Sequence, residues 1–185
     1  LKDSLHNNMP HDSGWHFIVI GQHIECALCM INSVRALLTV PMCVHEKNAL
    51  VETCLASTET LTMYKRHHQK NLCLKRALDM MLLQPSNPHS LIHHIEQLST
   101  HLRDIANTYN GKPFEMTHVD NAKKLLKHCD LDQLAMRDPQ GQHVLFQLLT
   151  TLHTCLSLAA TAIAQHYFSS AEGLQLLVTR TSRQQ

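Results

Sequence analysis

Between Trp15 and Leu38 the apolar residues Phe17, Ile20, Ile24, Ala27, Ile31, Val34 and Leu38 follow one another in steps of three and four. A helix, with 3.6 residues per turn, gathers such residues on one face, whereas a strand would need alternation. The same spacing recurs in Leu91, Ile95, Leu98, Leu102 and Ile105. No stretch alternates in the manner of a strand. With 5 glycines in 185 residues, the tight turns that a sandwich or barrel needs are also few. The chain is therefore expected to be all-α, a bundle of about six helices with antiparallel neighbours and no sheet.

Breaker residues divide that bundle. Asp12 or Ser13 suits the cap of the first helix, and Pro41 stops it. A second helix is predicted from about Glu46 to His67, using Leu50, Cys54, Leu55 and Leu61, and a short Met-rich third from Leu72 to Leu83. In Gln84-Pro85-Ser86-Asn87-Pro88, Asn87 suits the N-cap and Pro88 the first position of a helix reaching about Tyr109. Thr117 with Asp120 resembles a capping box for a helix to about His128. A turn around Leu131 to Ala135 follows, then a last helix from about Gly141 to Phe168. Residues 12–168 read as a single domain and 169–185 as a C-terminal tail.

An apolar content of 44% suffices for a core, and an aromatic share of 4% makes that core aliphatic, built from Leu, Ile, Ala and Met. Lys and Arg (16) nearly balance Asp and Glu (15), so no global field draws nucleic acid or an anionic membrane. The 16 histidines are the anomaly, and they make surface charge depend on pH near neutrality. Seven dispersed cysteines, an odd number, read as reduced thiols of a cytoplasmic protein and not as a disulfide framework. Leu1-Lys2-Asp3-Ser4 shows neither an initiator Met nor a signal pattern, which suggests part of a longer protein. Pro139 to Ala171 lacks Asp, Glu, Lys and Arg, and Val144 to Ile163 is long enough to span a bilayer. Its Gln147, Thr150, Thr151, His153, Thr154, Ser157 and Thr161 are costly in hydrocarbon, so a fully buried bundle helix is expected and no membrane contact.

Few residues point to chemistry. Cys26-Ala27-Leu28-Cys29, with His23 one turn earlier, is the weak metal or redox candidate. No second CxxC exists, and ligands at His23, Cys26 and Cys29 climb one helix and cannot converge alone. Other histidines cluster at His67-His68 and at His89, His93, His94 and His101, most of them expected on solvated faces. No HExxH, GxGxxG, Walker loop or GxSxG occurs, so no cofactor is expected and the chain leans away from being an enzyme. Glu25 flanks the apolar stripe and is expected to be half-buried with a partner, while Gly21 one turn earlier leaves room for another helix or a cation.

Trp15-His16-Phe17-Ile18-Val19-Ile20-Gly21-Gln22-His23-Ile24-Glu25-Cys26-Ala27 resembles a helix of the bacterial alpha-E family, which takes its name from a Glu-Arg motif in a helical domain. Tyr64-Lys65-Arg66 is similar to the basic end of that family's following helix. Leu82 to Leu91, with Asn87-Pro88-His89-Ser90, resembles its Asn-Pro-Arg-Ser helix start, and Tyr167-Phe168 falls where such domains stop. The likeness runs from about Asp12 to Phe168 and resembles the family's C-terminal half. Gln22, Cys26 and His89 stand where the pattern has cations. The resemblance implies a context of ATP-grasp-type ligases and transglutaminase-like peptidases, hence a protein interaction module for peptide ligation or modification, without an established activity. It points to Trp15, Gly21, Glu25, Tyr64, Arg66, Asn87 and Ser90 as the binding or structural cluster, with Glu25 and Arg66 pairing across helices. A bundle cut in half would expose apolar faces and form a homodimer to cover them. A metal- or redox-responsive protein using His23, Cys26 and Cys29 is the second expectation, and a peptide-modifying enzyme with Glu25 as acid or base the third.

Overall fold

The computed structural model describes residues 13–38, 44–68, 72–108, 114–136 and 139–168. Among the described residues there are eight α-helices: α1 (Ser13–Leu38), α2 (Val44–Ser57), α3 (Leu61–His68), α4 (Leu74–Leu78), α5 (Leu91–Thr108), α6 (Thr117–Lys127), α7 (Leu131–Leu134) and α8 (Pro139–Phe168). A π-helical turn, Asp79–Leu83, continues α4. Among the described residues there is no strand. The Asp12 cap, Pro41 and Tyr109 lie outside the described residues, as do residues 169–185.

The all-α reading holds, and the helix count among the described residues rises to eight for local reasons. The predicted helix from Glu46 to His67 breaks at Glu59, whose φ is 57°. The amide of Thr60 donates to the Leu55 carbonyl at 2.8 Å and that of Glu59 to Ala56 at 3.1 Å. These two bonds close a Schellman motif, built with Glu where glycine is the usual choice. Thr60 then starts α3, its carbonyl accepting from the Tyr64 amide at 2.9 Å. The turn expected around Leu131 closes into the short α7, capped by Asp130, whose side chain accepts from the Asp132 amide.

Both apolar stripes face the core. Ile20, Ile24, Ala27, Ile31 and Val34 of α1 are buried, as are Leu91, Ile95, Leu98, Leu102 and Ile105 of α5. Each buried Leu or Ile contributes about 1.5–3 kcal/mol through transfer from water. α1 is the central helix, packed most extensively against α5 and then against α8 and α2. The ring contacts Phe17–Tyr167 and Phe17–Phe168 join the start of α1 to the end of α8, so these two helices run antiparallel.

Three local expectations are corrected. α5 begins at Leu91, not at Pro88. Its first turn is capped by Ser90, whose Oγ accepts from the His93 amide at 3.2 Å, while Asn87 shapes the turn before it. At α6 the Thr117 hydroxyl donates to the Glu115 carboxylate instead of closing a capping box, and Met116 holds the cap position without a side-chain bond. α8 is not buried all round: Leu145, Leu149, Leu152, Leu156, Ala159 and Ile163 face inward, while Gln147, Thr151, Thr154 and Thr161 are exposed. Gly14–Leu38 and Gln142–Phe168 are long and apolar enough to cross a membrane, and each contributes a face to the common core.

Candidate functional site

Histidines from two helices meet along the seam between α1 and α5. His16 Nδ1 lies 3.0 Å from His101 Nδ1, and His23 Nδ1 lies 3.0 Å from His94 Nδ1. Both pairs are seven residues apart on each helix and run in opposite senses, so α1 and α5 are antiparallel and the pairs form two rungs about 10 Å apart. The rungs are linked, because His23 stacks on His101 with ring centroids 6.1 Å apart and planes inclined by 18°. His93 meets the His23 ring edge-on. Trp15 closes one end, edge-on to His16 at 5.0 Å and to His101 at 5.3 Å. His94 is buried, with 8% of its surface exposed, and the other seam histidines are half-buried. For His94 and His101 the expectation of a solvated face is corrected, since α5 turns both towards α1, while His67 is exposed as expected.

At the Trp15 end, one ligand atom each from His16, His101 and Asp104 lie within 4.8 Å of one another. His101 and Asp104 are three residues apart and share a face of α5, while His16 comes across from α1. Among the described residues this is the one group of three or more His, Cys, Asp and Glu side chains gathered closely enough to hold a metal ion. His23, Cys26 and Cys29 do not form such a group. His23 turns to His94, and Cys26 and Cys29 remain free thiols one turn apart along α1.

The remaining candidate residues fall in separate places. Glu25 is exposed, not half-buried, and with Leu28, Cys29, Asn32 and His153 it lines a groove of about 570 Å³ between α1 and α8. Gly21 is exposed too, and a Cβ added there would meet nothing within 4 Å, so no helix uses the space it leaves. Arg66 is exposed on α3 and forms no ion pair with Glu25; the neighbouring Lys65 pairs with Glu52 at 2.8 Å. Tyr64 is wholly buried, and its hydroxyl accepts from the Cys73 amide at 2.9 Å, tying α3 to the start of α4.

Asn87, also wholly buried, has a role that follows from its neighbours. The π-helical turn bonds the Gln84 amide to the Asp79 carbonyl at 3.0 Å, so the Met80 carbonyl would next accept from residue 85. Residue 85 is proline and has no N–H. The Asn87 carboxamide donates to Met80 instead, at 2.9 Å, and its oxygen accepts from the His89 amide at 3.1 Å. Of the residues nominated from sequence, Trp15 and His23 thus both lie at the seam and touch His101, Glu25 and Cys29 share the groove, and Tyr64, Asn87 and Ser90 hold the scaffold. His16 and Asp104 were missed.

A second groove of about 630 Å³ lies between α6, α7 and α8 and is lined by Leu125, Cys129, Leu134, Leu148 and Cys155, among others. Burial pushes the thiols of Cys129 and Cys155 above their ordinary value. Burial drives that of Cys54, in the core beside the Met81 sulfur, up to about 12. These three thiols are held protonated, which is the opposite of what a nucleophilic or redox cysteine requires.

A family model, Alpha-E, described as a predicted alpha-helical domain with a conserved ER motif, matches residues 1–168. Uncharacterized proteins of Mycobacterium bovis and Mycobacterium tuberculosis are each 26% identical to the chain over 172 residues, which is 92% of this chain and 19% of the relative. The chain thus spans about a fifth of the length of the curated relatives it matches. No solved structure matches it significantly. A Glu-Arg dipeptide does not occur in the chain, and Glu25 is followed by Cys26.

Proposed function

The chain belongs to the Alpha-E family, and on that footing we propose that it is a non-catalytic interaction module, cytoplasmic, serving an ATP-grasp-type peptide ligase. A transglutaminase-like peptidase is the second partner of the same kind. The observation that carries the reading is Glu25: an exposed carboxylate at the rim of the α1–α8 groove, with Leu28 beside it. A groove lined by Leu28 and Ala36 among polar Asn32, Ser33 and His153, with the Glu25 carboxylate on it, suits a partner segment that brings a basic side chain beside an apolar one. The length of the relatives agrees with a domain that works beside others, since the matched stretch is a small part of each.

The peptide-modifying reading has less behind it. A nucleophile needs a base within hydrogen-bond reach, and no hydrogen bond joins Cys29 to His153 across the groove. The partner reading is tested by affinity capture of the chain from its own host's lysate, read by mass spectrometry, with Glu25→Ala as control. Recovery of an ATP-grasp-type ligase or transglutaminase-like peptidase, lost in the variant, is the expected result. Recovery of neither, or equal recovery with Glu25→Ala, would overturn it. A homodimer that covers the exposed Phe146 and Leu158 of α8 is a separate outcome, read from the mass of the purified chain in solution.

A further inference from the structure

We propose that His16, His101 and Asp104 form a binding site for a divalent transition-metal ion of the zinc class, clamping the start of α1 to the end of α5. The ligand atoms of the three side chains already lie within 4.8 Å of one another. The two imidazole nitrogens are 3.0 Å apart. Tetrahedral zinc, with Zn–N bonds of about 2.0–2.1 Å, sets neighbouring ligand atoms roughly 3.3 Å apart, so the rings need to open by only a few tenths of an ångström.

The donor set selects the ion. Two imidazoles and one carboxylate suit zinc and its first-row neighbours, whereas Mg²⁺ and Ca²⁺ want oxygen alone. Packing prepares the site: Trp15 lies edge-on to both His16 and His101, and His23 stacks on His101, so neighbours support both rings. Second-sphere contacts of this kind orient metal-ligating imidazoles. Asp104 is exposed, which leaves one side open to solvent, and water completes the fourth position. Because the ligands come from two antiparallel helices, the ion would also hold the seam together, adding stability by mass action. The site is independent of the partner groove, since Glu25 takes no part in it.

The test uses the whole chain, tag-free, reduced and stripped of metal, titrated with Zn²⁺ by calorimetry in excess Mg²⁺. One ion per chain is expected, with a rise in Tm on saturation. Asp104→Asn, at an exposed position that leaves packing intact, and His101→Asn should each weaken binding tenfold or more. Cys26→Ser with Cys29→Ser, and His67→Asn with His68→Asn, should leave it unchanged. A loss smaller than tenfold in Asp104→Asn, or a loss as large in either control pair, would overturn the assignment and mark the binding as adventitious.

Discussion

His23 and His94, 71 residues apart in sequence, bring their Nδ1 atoms to 3.0 Å across the interface of α1 and α5. The bond is made where His94 is 8% exposed, so a polar ring enters the core on condition that the opposite helix supplies its partner. A double-mutant cycle with His23→Ala and His94→Ala, followed by urea unfolding, should give a coupling of about 0.5–1.5 kcal/mol. Additivity within about 0.3 kcal/mol would show that the rung does not stabilise the fold.

Two substitutions involving glycine, in opposite senses, should both stabilise. Gly21 is exposed within α1, and a methyl group there meets nothing within 4 Å, so Gly21→Ala should gain about 0.5–1 kcal/mol from helix propensity alone. Glu59 stands at φ 57°, where a side chain is strained, so Glu59→Gly should gain about 1 kcal/mol. The contact it gives up, to the His89 ring at 3.4 Å, is exposed and worth little. Thermal melts of the two variants check both signs, and a lower Tm for Gly21→Ala would mean that the position is occupied.

The buried thiol of Cys54 makes stability depend on alkaline pH. Its folded-state value of about 12 stands above the ordinary 9.0, so the native state retains a proton that the unfolded chain releases. The stabilisation is whole below about pH 9 and is lost as pH rises towards 12. Between pH 7.5 and 10 the wild type should lose on the order of 1 kcal/mol more than Cys54→Ala, compared by urea midpoints at each pH. Equal losses in the two proteins would place the alkaline sensitivity elsewhere.

What sequence revealed was whatever depends on one helix at a time. The stripes of α1 and α5 are periodic, and every residue of the α5 stripe is buried. The break at Glu59 escaped because a left-handed residue other than glycine carries no composition signal. Asn87 was recognised as a helix-start residue, but its bond to Met80 depends on a π-helical turn that no periodicity announces. Glu25 was placed too deep because a groove lies between α1 and α8 where it stands, and one helix's periodicity does not show how its neighbour packs. The seam escaped because pairing is a property of two helices. One signal was present: His16 and His23, like His94 and His101, are seven residues apart, so antiparallel helices in register bring both pairs together.

The proposed role of Glu25 and its groove is to receive a partner from an ATP-grasp-type peptide-ligating system. The most direct measurement is the affinity of the purified chain for the purified ATP-grasp-type ligase of the same host, by calorimetry, alongside Glu25→Ala and Glu25→Gln. Saturable binding with Kd at or below roughly 10 μM, weakened about tenfold or more by both variants, is the predicted result. Absence of binding at about ten times that concentration, or equal affinity for all three proteins, would rule out Glu25 and its groove as the site of that partner.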